Sequence, residues 1–367
     1  MSKNILVVDD SALMRRVICD IIISDSRFEV TDTAKNGAEA FELLLDKKYD
    51  VVVCDINMPK MTGLELLEQL QKYKIKAKVV MVSTLAKEGA KETILALELG
   101  AFDFVTKPEN FIETKSNDFK QKLMSVIEVA ADACPTMKAR GIAKPVVTAA
   151  NITESFIQKP FPITRKTTIR SNSLTANKVV ALACSTGGPK SLQTVIPALP
   201  ADLNAAILLV QHMPAGFTNS LAQRLNEMSK MKVKEATEGE LVLKGCVYIA
   251  PGGFHMKVVM DGSNHKIKLT SEDPIGGLRP CANLMYESLI NSGFDEIVCV
   301  VLTGMGGDGT IGIKKLSNSK PVYVIAQNEK TCVVYGMPKT IVEAGLVDEI
   351  VSLSDVSQTI TKNVGVR

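Results

Sequence analysis

The stretch that decides the fold of the second half of the chain is Val179-Val180-Ala181-Leu182-Ala183-Cys184-Ser185-Thr186-Gly187-Gly188-Pro189. Its apolar start indicates a short buried strand, and its Gly-Gly-Pro end predicts a tight turn into a helix. A serine on such a turn lies exposed above a sheet, beside unpaired N–H groups of the helix N-terminus. Ser185 is therefore a candidate nucleophile, although a serine here can also be no more than a helix cap.

Two further strand-like runs of the second half end in polar loops. His212 directly follows one of them with Gln211, and Asp308 lies in the glycine-rich loop 303–309 after the other. In an open parallel sheet the functional loops collect at the carboxyl ends of the strands, so we expect these loops at one edge. A serine hydroxyl needs a base, and that base needs an orienting acceptor. The sequence therefore predicts a triad of Ser185, His212 and Asp308.

Each member of this triad has an alternative. Cys184 is a rival nucleophile, His255 is a rival base, and Asp308 can instead cap a helix over 309–316. The oxyanion is expected to meet backbone N–H groups near Ser185 and in the glycine-rich loop.

The first half of the chain alternates short β-rich runs with amphipathic stretches of helical length, from Asn4 to about Ala131. Alternation of this kind predicts βαβ units and a parallel sheet with helices on both faces. The predicted strands are 5–8, 28–33, 51–54, 79–82 and 102–105, and the predicted helices are 12–23, 37–45, 63–70 and 88–99.

Five polar residues lie at the ends of these predicted strands: Asp9, Asp10, Asp55, Ser83 and Lys107. Three carboxylates in a small volume repel one another unless a cation lies among them, and oxygen ligands of this kind suit Mg²⁺. A carboxylate beside such a cation can attack a phosphoryl donor, and a hydroxyl and an ammonium can then hold the phosphate. The sequence thus predicts an aspartyl-phosphate site, although any one of these acids alone would be read as a solvated loop residue.

The composition bounds the remaining possibilities. The 367 residues carry a net charge of +3, an apolar content of 46% and eight cysteines. We expect a cytoplasmic protein with reduced thiols, no membrane-spanning segment and no nucleic-acid surface. The fold class is α/β, with two doubly wound parallel-sheet domains. The larger second domain includes a short antiparallel ribbon, which strand-like pieces such as 247–250 and 256–260 predict. The expected boundaries are 1–131 for the first domain, 132–177 for a basic linker and 178–367 for the second domain.

The first domain resembles the response-regulator receiver family, whose flavodoxin-like fold it is expected to share. The matching motifs are Val7-Val8-Asp9-Asp10-Ser11, Asp55-Ile56-Asn57-Met58-Pro59, Gly63, Ser83 and Thr106-Lys107-Pro108. The resemblance implies that Asp55 is the phosphoacceptor, that Asp9, Asp10 and Asp55 serve the Mg²⁺ site, and that Ser83 and Lys107 contact the phosphate.

The second domain resembles the methylesterase domain of the bacterial chemotaxis protein-glutamate methylesterases. The matching motifs are Ser185-Thr186-Gly187-Gly188, His212-Met213-Pro214, Ala250-Pro251-Gly252, Leu302-Thr303-Gly304-Met305-Gly306 with Asp308-Gly309, and Gly336-Met337-Pro338. By position, Ser185 is the nucleophile, His212 the base and Asp308 its orienter, while Thr186 and the N–H of Met305 serve the oxyanion. The chain departs from the family pattern at Ala183, Cys184 and Cys281-Ala282-Asn283.

Together, the two resemblances imply a phosphorylation-regulated esterase. Its substrates would be glutamate methyl esters of chemotaxis receptors, its phosphodonor the chemotaxis histidine kinase, and deamidation of receptor glutamines a further activity. Its esterase site would need no cofactor.

Two other classes of protein remain open. The loop 304–309 also fits G-x-G-x-x-G, which would suit a nucleotide-dependent oxidoreductase, and a receiver can also carry a non-catalytic output domain.

Overall fold

The computed structural model describes residues 2–84, 87–108, 117–132 and 175–366. Most of the predicted linker, 133–174, lies outside these residues. The described part forms α/β domains with parallel sheets, as predicted. In the first domain the elements are β1 (Lys3–Val8), α1 (Ala12–Ile23), β2 (Phe28–Ala34), α2 (Gly37–Asp46), β3 (Val51–Asp55), α3 (Gly63–Lys72), β4 (Val79–Ser83), α4 (Lys87–Glu98), β5 (Asp103–Thr106) and α5 (Asn117–Asp132).

The first-domain sheet has the order β2-β1-β3-β4-β5, and all of its pairings are parallel. All residues of β3 and β4 are buried, which explains why these strands are almost purely apolar and not alternating. Helix starts follow local capping: the Thr62 side chain accepts from the Glu65 N–H, and Glu65 accepts from Thr62 in return. Because β1 and β3 are neighbours, their carboxyl ends carry the predicted acidic residues to one place.

The second domain has the same type of architecture, with a larger parallel sheet. Its elements are β6 (Lys178–Cys184), α6 (Gly188–Val195), β7 (Ala206–Gln211), α7 (Phe217–Met228), β8 (Lys232–Glu235), β9 (Cys246–Ile249), β10 (His255–Asp261), β11 (Asn264–Thr270), α8 (Ala282–Ser288), β12 (Glu296–Val301), α9 (Thr310–Ser317), β13 (Tyr323–Gln327), α10 (Met337–Glu343), β14 (Glu349–Val351) and α11 (Val356–Val364). The sheet order is β14-β13-β12-β6-β7-β9-β8, again with parallel pairings.

The antiparallel ribbon is present, but it is smaller than the sequence suggested. Among the strands of the described residues, β10 and β11 alone pair in antiparallel fashion, as a separate two-stranded sheet. The stretch around Val247, which was expected to belong to the ribbon, forms β9 of the main sheet. All four residues of β9 are buried between its neighbours β7 and β8, a setting that suits a continuous apolar strand.

The two domains contact each other through one face of the first domain. Phe104 on β5 stacks on Phe217 at the start of α7, with ring centroids 4.7 Å apart. Glu98 at the end of α4 accepts two hydrogen bonds from Arg224 on α7, at 2.6 and 3.0 Å, and one from Gln193 on α6 at 3.0 Å. The helices that follow the predicted Ser185 and His212 loops therefore form the docking surface for the first domain.

Candidate esterase and phosphorylation sites

Ser185 lies where the sequence predicted, at the turn between β6 and α6. Its N–H donates to the carbonyl of Thr303 at 3.0 Å, and its own carbonyl accepts from Gly188 at 2.7 Å and from the Gln211 side chain at 3.0 Å. The N-cap of α6 is Gly187, in a left-handed conformation with φ of 75°, and no side chain caps the helix. The alternative of Ser185 as a helix cap therefore does not describe this turn.

His212 follows the neighbouring strand in matched register. Cys184 and Gln211 are paired residues of β6 and β7, and the N–H of His212 donates to the carbonyl of Cys184 at 3.2 Å. Ser185 and His212 therefore occupy adjacent strand ends, one residue past the last pair. The His212 ring points to the third loop, with its Nε2 atom 2.8 Å from Oδ2 of Asp308.

Asp308 is surrounded by donors. Its carboxylate accepts from the N–H groups of Ala282 at 2.6 Å and Asn283 at 3.0 Å, from the Cys281 thiol at 3.2 Å, and from His212. Burial alone would raise the pKa of Asp308, but the His212 bond and the two N–H groups outweigh burial and hold the pKa at about 2. Asp308 is thus an ionised acceptor, so Nε2 of His212 carries a proton and Nδ1 is left as the basic nitrogen. It does not cap α9, whose N-cap is Gly309.

The two rivals named from the sequence are engaged elsewhere. Cys184 is fully buried, its thiol contacts the Gln211 side chain at 3.1 Å, and burial raises the pKa of the thiol. His255 is also fully buried, and its Nε2 lies 3.2 Å from the Asp273 carbonyl. Its Nδ1 accepts the N–H of Cys281 at 3.2 Å. Both nitrogens of His255 are therefore used in holding a loop.

The glycine-rich loop closes over Ser185. A Cβ atom on Gly304 would lie 2.8 Å from Cβ of Ser185, so only glycine fits there without displacement. Among the described residues, none accepts a hydrogen bond from the N–H of Thr186 or of Met305. Thr186 follows Ser185 in the chain, and Met305 follows Gly304, the glycine that approaches Ser185. These are the two oxyanion residues predicted from the sequence, and their donors are free of secondary-structure bonds.

Sequence reasoning missed a support behind the oxyanion loop. The buried Gln327 side chain accepts from the N–H of Thr303 at 2.8 Å, and the Thr303 hydroxyl donates to the carbonyl of Thr186 at 3.0 Å. Gln327 is the last residue of β13, which neighbours β12, so a polar residue ending an otherwise apolar buried strand was the available signal.

The acidic cluster of the first domain is assembled as predicted. One carboxylate oxygen each from Asp9, Asp10 and Asp55 lies within 4.8 Å of the others. Nζ of Lys107 lies 2.9 Å from Asp9 and 2.7 Å from Asp55. Burial raises the pKa of Asp55 against the opposing effect of Lys107, while the two carboxylates raise the pKa of Lys107 in spite of its burial. Two buried carboxylates and one exposed one, all with oxygen donors, fit a hexacoordinate Mg²⁺.

Ser83, the predicted phosphate contact, is held by α4. Its hydroxyl donates to the carbonyl of Gly89 at 3.2 Å and accepts from the Thr93 hydroxyl at 2.7 Å. Both Ser83 and Thr93 are buried. The hydroxyl at the end of β4 is therefore tied to the helix whose far end, Glu98, contacts the second domain.

Comparisons with known proteins define the class of this chain. Residues 5–116 match the family model described as the response regulator receiver domain, and residues 180–360 match the model described as CheB methylesterase. The described part of the chain contains no helix that is both long and apolar enough to cross a membrane. The fold and the matched families together define a receiver joined to an α/β esterase.

Full-length relatives narrow this class. A protein-glutamate methylesterase/protein-glutamine glutaminase of Syntrophomonas wolfei is 42% identical over 98% of both chains, and that of Bacillus subtilis is 40% identical over 98% of both. The crystal structure of the Thermotoga maritima CheB methylesterase catalytic domain is 40% identical, covers 50% of this chain and 97% of its own, and has a TM-score of 0.49. The chain belongs to the protein-glutamate methylesterase/protein-glutamine glutaminase family, which confirms the enzyme class predicted from the sequence.

Family membership leaves no support for the nucleotide-dependent oxidoreductase. The glycines of 304–309 have a different use here, since Gly304 approaches Ser185 and its carbonyl accepts from Gly336 and Met337. A receiver with a non-catalytic output is excluded by the same family matches.

Proposed function

We propose that this chain is a cytoplasmic, phosphorylation-regulated serine esterase that hydrolyses glutamate methyl esters on chemotaxis receptors and releases methanol. The observation that carries the proposal is the 2.8 Å contact of His212 with Asp308, at the strand end adjacent to Ser185. The domain boundaries that we assign to this activity are 1–131 for the receiver, 132–177 for the linker and 178–367 for the esterase.

In the acylation step, Nδ1 of His212 takes the proton of the Ser185 hydroxyl as the oxygen attacks the ester carbonyl. The oxyanion that forms is stabilised by the N–H groups of Thr186 and Met305, and one such donor is typically worth about 10²–10³ in rate. His212 then gives its proton to the departing methoxide, leaving methanol and a glutamyl ester of Ser185. Asp308 stabilises the imidazolium throughout, because its carboxylate stays ionised.

In the second step, His212 removes a proton from water as the water attacks the glutamyl ester. The tetrahedral intermediate collapses to a free glutamate carboxylate, and Ser185 regains its proton from His212. A receptor glutamine would follow the same route with ammonia as the leaving group. The names of the full-length relatives, which include a glutaminase activity, support deamidation as a second reaction of this site.

The receiver supplies the control. Its phosphodonor would be the phosphohistidine of the chemotaxis histidine kinase. The Asp55 carboxylate attacks the phosphorus, the P–N bond to the kinase imidazole breaks, and an acyl phosphate forms on Asp55. Asp9, Asp10 and Asp55 would hold Mg²⁺, which when bound supplies charge neutralisation for the phosphoryl group. Lys107 can then exchange a carboxylate partner for a phosphate oxygen, since its Nζ already lies 2.7 Å from Asp55.

In the unphosphorylated state the receiver would inhibit the esterase by covering its cleft. Receiver residue Asp103 lies near the Thr186 side chain, next to the nucleophile, and Thr186 lowers the pKa of Asp103 against the effect of burial. Further along the interface are the stacked pair Phe104–Phe217 and the Glu98–Arg224 ion pair. When the hydroxyl of Ser83 donates to the phosphate, its bond to the carbonyl of Gly89 on α4 is lost. Helix α4 is then released from its present position, which weakens this interface.

The test uses the full chain, methylated receptor membranes and a small phosphodonor such as acetyl phosphate with Mg²⁺. We expect methanol release to rise with the phosphodonor, and to disappear in Ser185→Ala. Asp55→Asn should keep the basal rate but lose the rise. A fluorophosphonate should label Ser185 in the wild type and in Asp55→Asn. Methanol release that survives Ser185→Ala would refute the serine mechanism, and equal rates with and without the phosphodonor would refute the regulation.

A further inference from the structure

We infer that Asn283 is a positioning residue of the esterase reaction, which holds the loop of Asp308 against the helix that binds the Asp308 carboxylate. The inference rests on the proposed function, because it assigns a role within that triad. Asn283 stands outside the residues to which the motifs gave a role.

The contacts are reciprocal. Asp308, just before α9, accepts the N–H groups of Ala282 and Asn283 at the start of α8. The Asn283 side chain in turn accepts the N–H groups of Gly309 at 3.1 Å and Gly312 at 2.7 Å, at the start of α9. Each helix thus caps the other, and orphan N–H groups of both helices are satisfied across the gap between them.

The start of α9 cannot provide this cap itself. Its N-cap is Gly309, with a φ of 100° and no side chain. A Cβ on Gly312 would lie 2.5 Å from the carbonyl oxygen of Asn283, so the two backbones touch here. Because α9 follows Asp308 directly, a loss of the cap would free the segment that carries the triad carboxylate. Truncation of Asn283 should therefore move Asp308 relative to His212 and leave substrate contacts in place.

The Asn283 side chain is a neutral amide, so it places no charge beside Asp308. Among the described residues, the titratable side chains hydrogen-bonded to Asp308 are His212 and Cys281. A carboxylate at 283 has the size of the amide and keeps an acceptor for both N–H groups. It would add a negative charge beside Asp308, and a second negative charge stabilises a protonated His212.

The experiment compares Asn283→Ala and Asn283→Asp in the full chain, activated with acetyl phosphate and Mg²⁺. For Asn283→Ala we expect kcat to fall by about 10- to 100-fold with KM within about twofold, the cost of a misplaced catalytic group. For Asn283→Asp we expect kcat to recover to within about threefold at high pH, with the acid limb of the kcat/KM profile shifted up by about one pH unit. The rate of fluorophosphonate labelling of Ser185 should follow the same order.

Asn226→Ala is the matched control. Its side chain accepts the N–H of Val233 at 2.9 Å in the same domain, away from the triad, so it loses a comparable backbone bond. We expect an unchanged kcat. The inference is overturned if Asn283→Ala matches Asn226→Ala in kcat and labelling, or if Asn283→Asp leaves the acid limb unmoved. If Asn283→Ala does not fold, the profile of Asn283→Asp decides alone. A wild type that labels normally but releases no methanol would refute the proposed function, and the labelling rates would still test Asn283.

Discussion

The two domains gather their polar side chains at the same kind of place, the carboxyl edge of a parallel sheet, but they compensate buried negative charge in different ways. In the receiver, one ammonium group serves two carboxylates, since Lys107 contacts both Asp9 and Asp55. In the esterase, the carboxylate of Asp308 is held by two backbone N–H groups of α8, a thiol and His212.

This difference matches what each edge has to do. Backbone N–H groups are fixed by the fold and cannot follow a moving charge, so they suit an acceptor whose ionisation and position must stay constant. A lysine side chain is a flexible point charge, and it can follow negative charge from a carboxylate to a phosphate. The esterase edge is therefore built to hold one arrangement and the receiver edge to change between two.

The largest effect should come from removing the fixed charge. Asp308→Asn keeps the size of the side chain, but its amide cannot accept from all four donors and does not stabilise an imidazolium. By analogy with triads in which this change imposes the wrong histidine tautomer, we expect kcat to fall by about 10⁴-fold. Methanol release from methylated receptor, with phosphodonor present, measures the loss. A decrease of less than tenfold would show that Asp308 is a structural residue, and Asp348→Asn, which changes an exposed aspartate that accepts the N–H of Val324 outside the site, is the control.

The sequence located the strand ends that carry the candidate residues of the esterase site, and the reason is geometric. Neighbouring parallel strands end at one edge, so Ser185, His212 and the loop of Asp308 had to converge once β12, β6 and β7 were adjacent. Periodicity likewise located α1 to within its observed bounds, Ala12–Ile23.

What the sequence did not predict are contacts between elements that have no common edge. Asn283 and Gln327 act through backbone N–H groups of distant loops, and no period or motif records such a pairing. Asp103 was within the expected strand region, yet Thr186, whose side chain influences its pKa, lies in the other domain. Domain docking depends on the shapes of two finished surfaces, so local patterns could not supply it.

A smaller effect should follow when the interface between the receiver and the esterase domain is weakened. Arg224→Ala removes a bidentate ion pair with Glu98 across the interface. Since such a partly exposed pair contributes about 1 kcal/mol, we expect the unphosphorylated esterase rate to rise about fivefold. The phosphorylated rate should stay unchanged, because the interface is then already weakened. Lys339→Ala breaks a surface ion pair within α10 and should leave both rates unaltered. An Arg224→Ala protein with the wild-type basal rate would contradict docking as the inhibitory device.

The smallest effect concerns Asp103, the receiver carboxylate that lies against the esterase edge. Burial raises the pKa of Asp103 to about 6, although the nearby Thr186 side chain opposes the rise. A carboxyl whose pKa is higher in the closed state binds a proton on closure, so closure is weakest above about pH 6 and strengthens as the pH falls below it. Asp103→Asn mimics the protonated form at every pH. Its acceptor oxygen can keep the bond that Asp103 receives from the Phe104 N–H at 2.8 Å.

The unphosphorylated esterase rate of Asp103→Asn should therefore be lower than that of the wild type by about threefold at about pH 8. This factor is smaller than the full pKa shift of Asp103 would give, because solvent screens a partly exposed carboxylate. The ratio of the two rates should stay constant down to about pH 7 and rise towards one as the pH approaches about 5. Titrations that are the same in both proteins cancel from this ratio. A ratio that is independent of pH would mean that protonation of Asp103 is not linked to closure. An Asp103→Asn rate above that of the wild type would mean that the ionised carboxylate itself favours closure. In that second case the receiver would bind the esterase domain through the negative charge of Asp103, much as its carboxylates bind Lys107. The difference in charge compensation between the two sheet edges would then not extend to the domain interface.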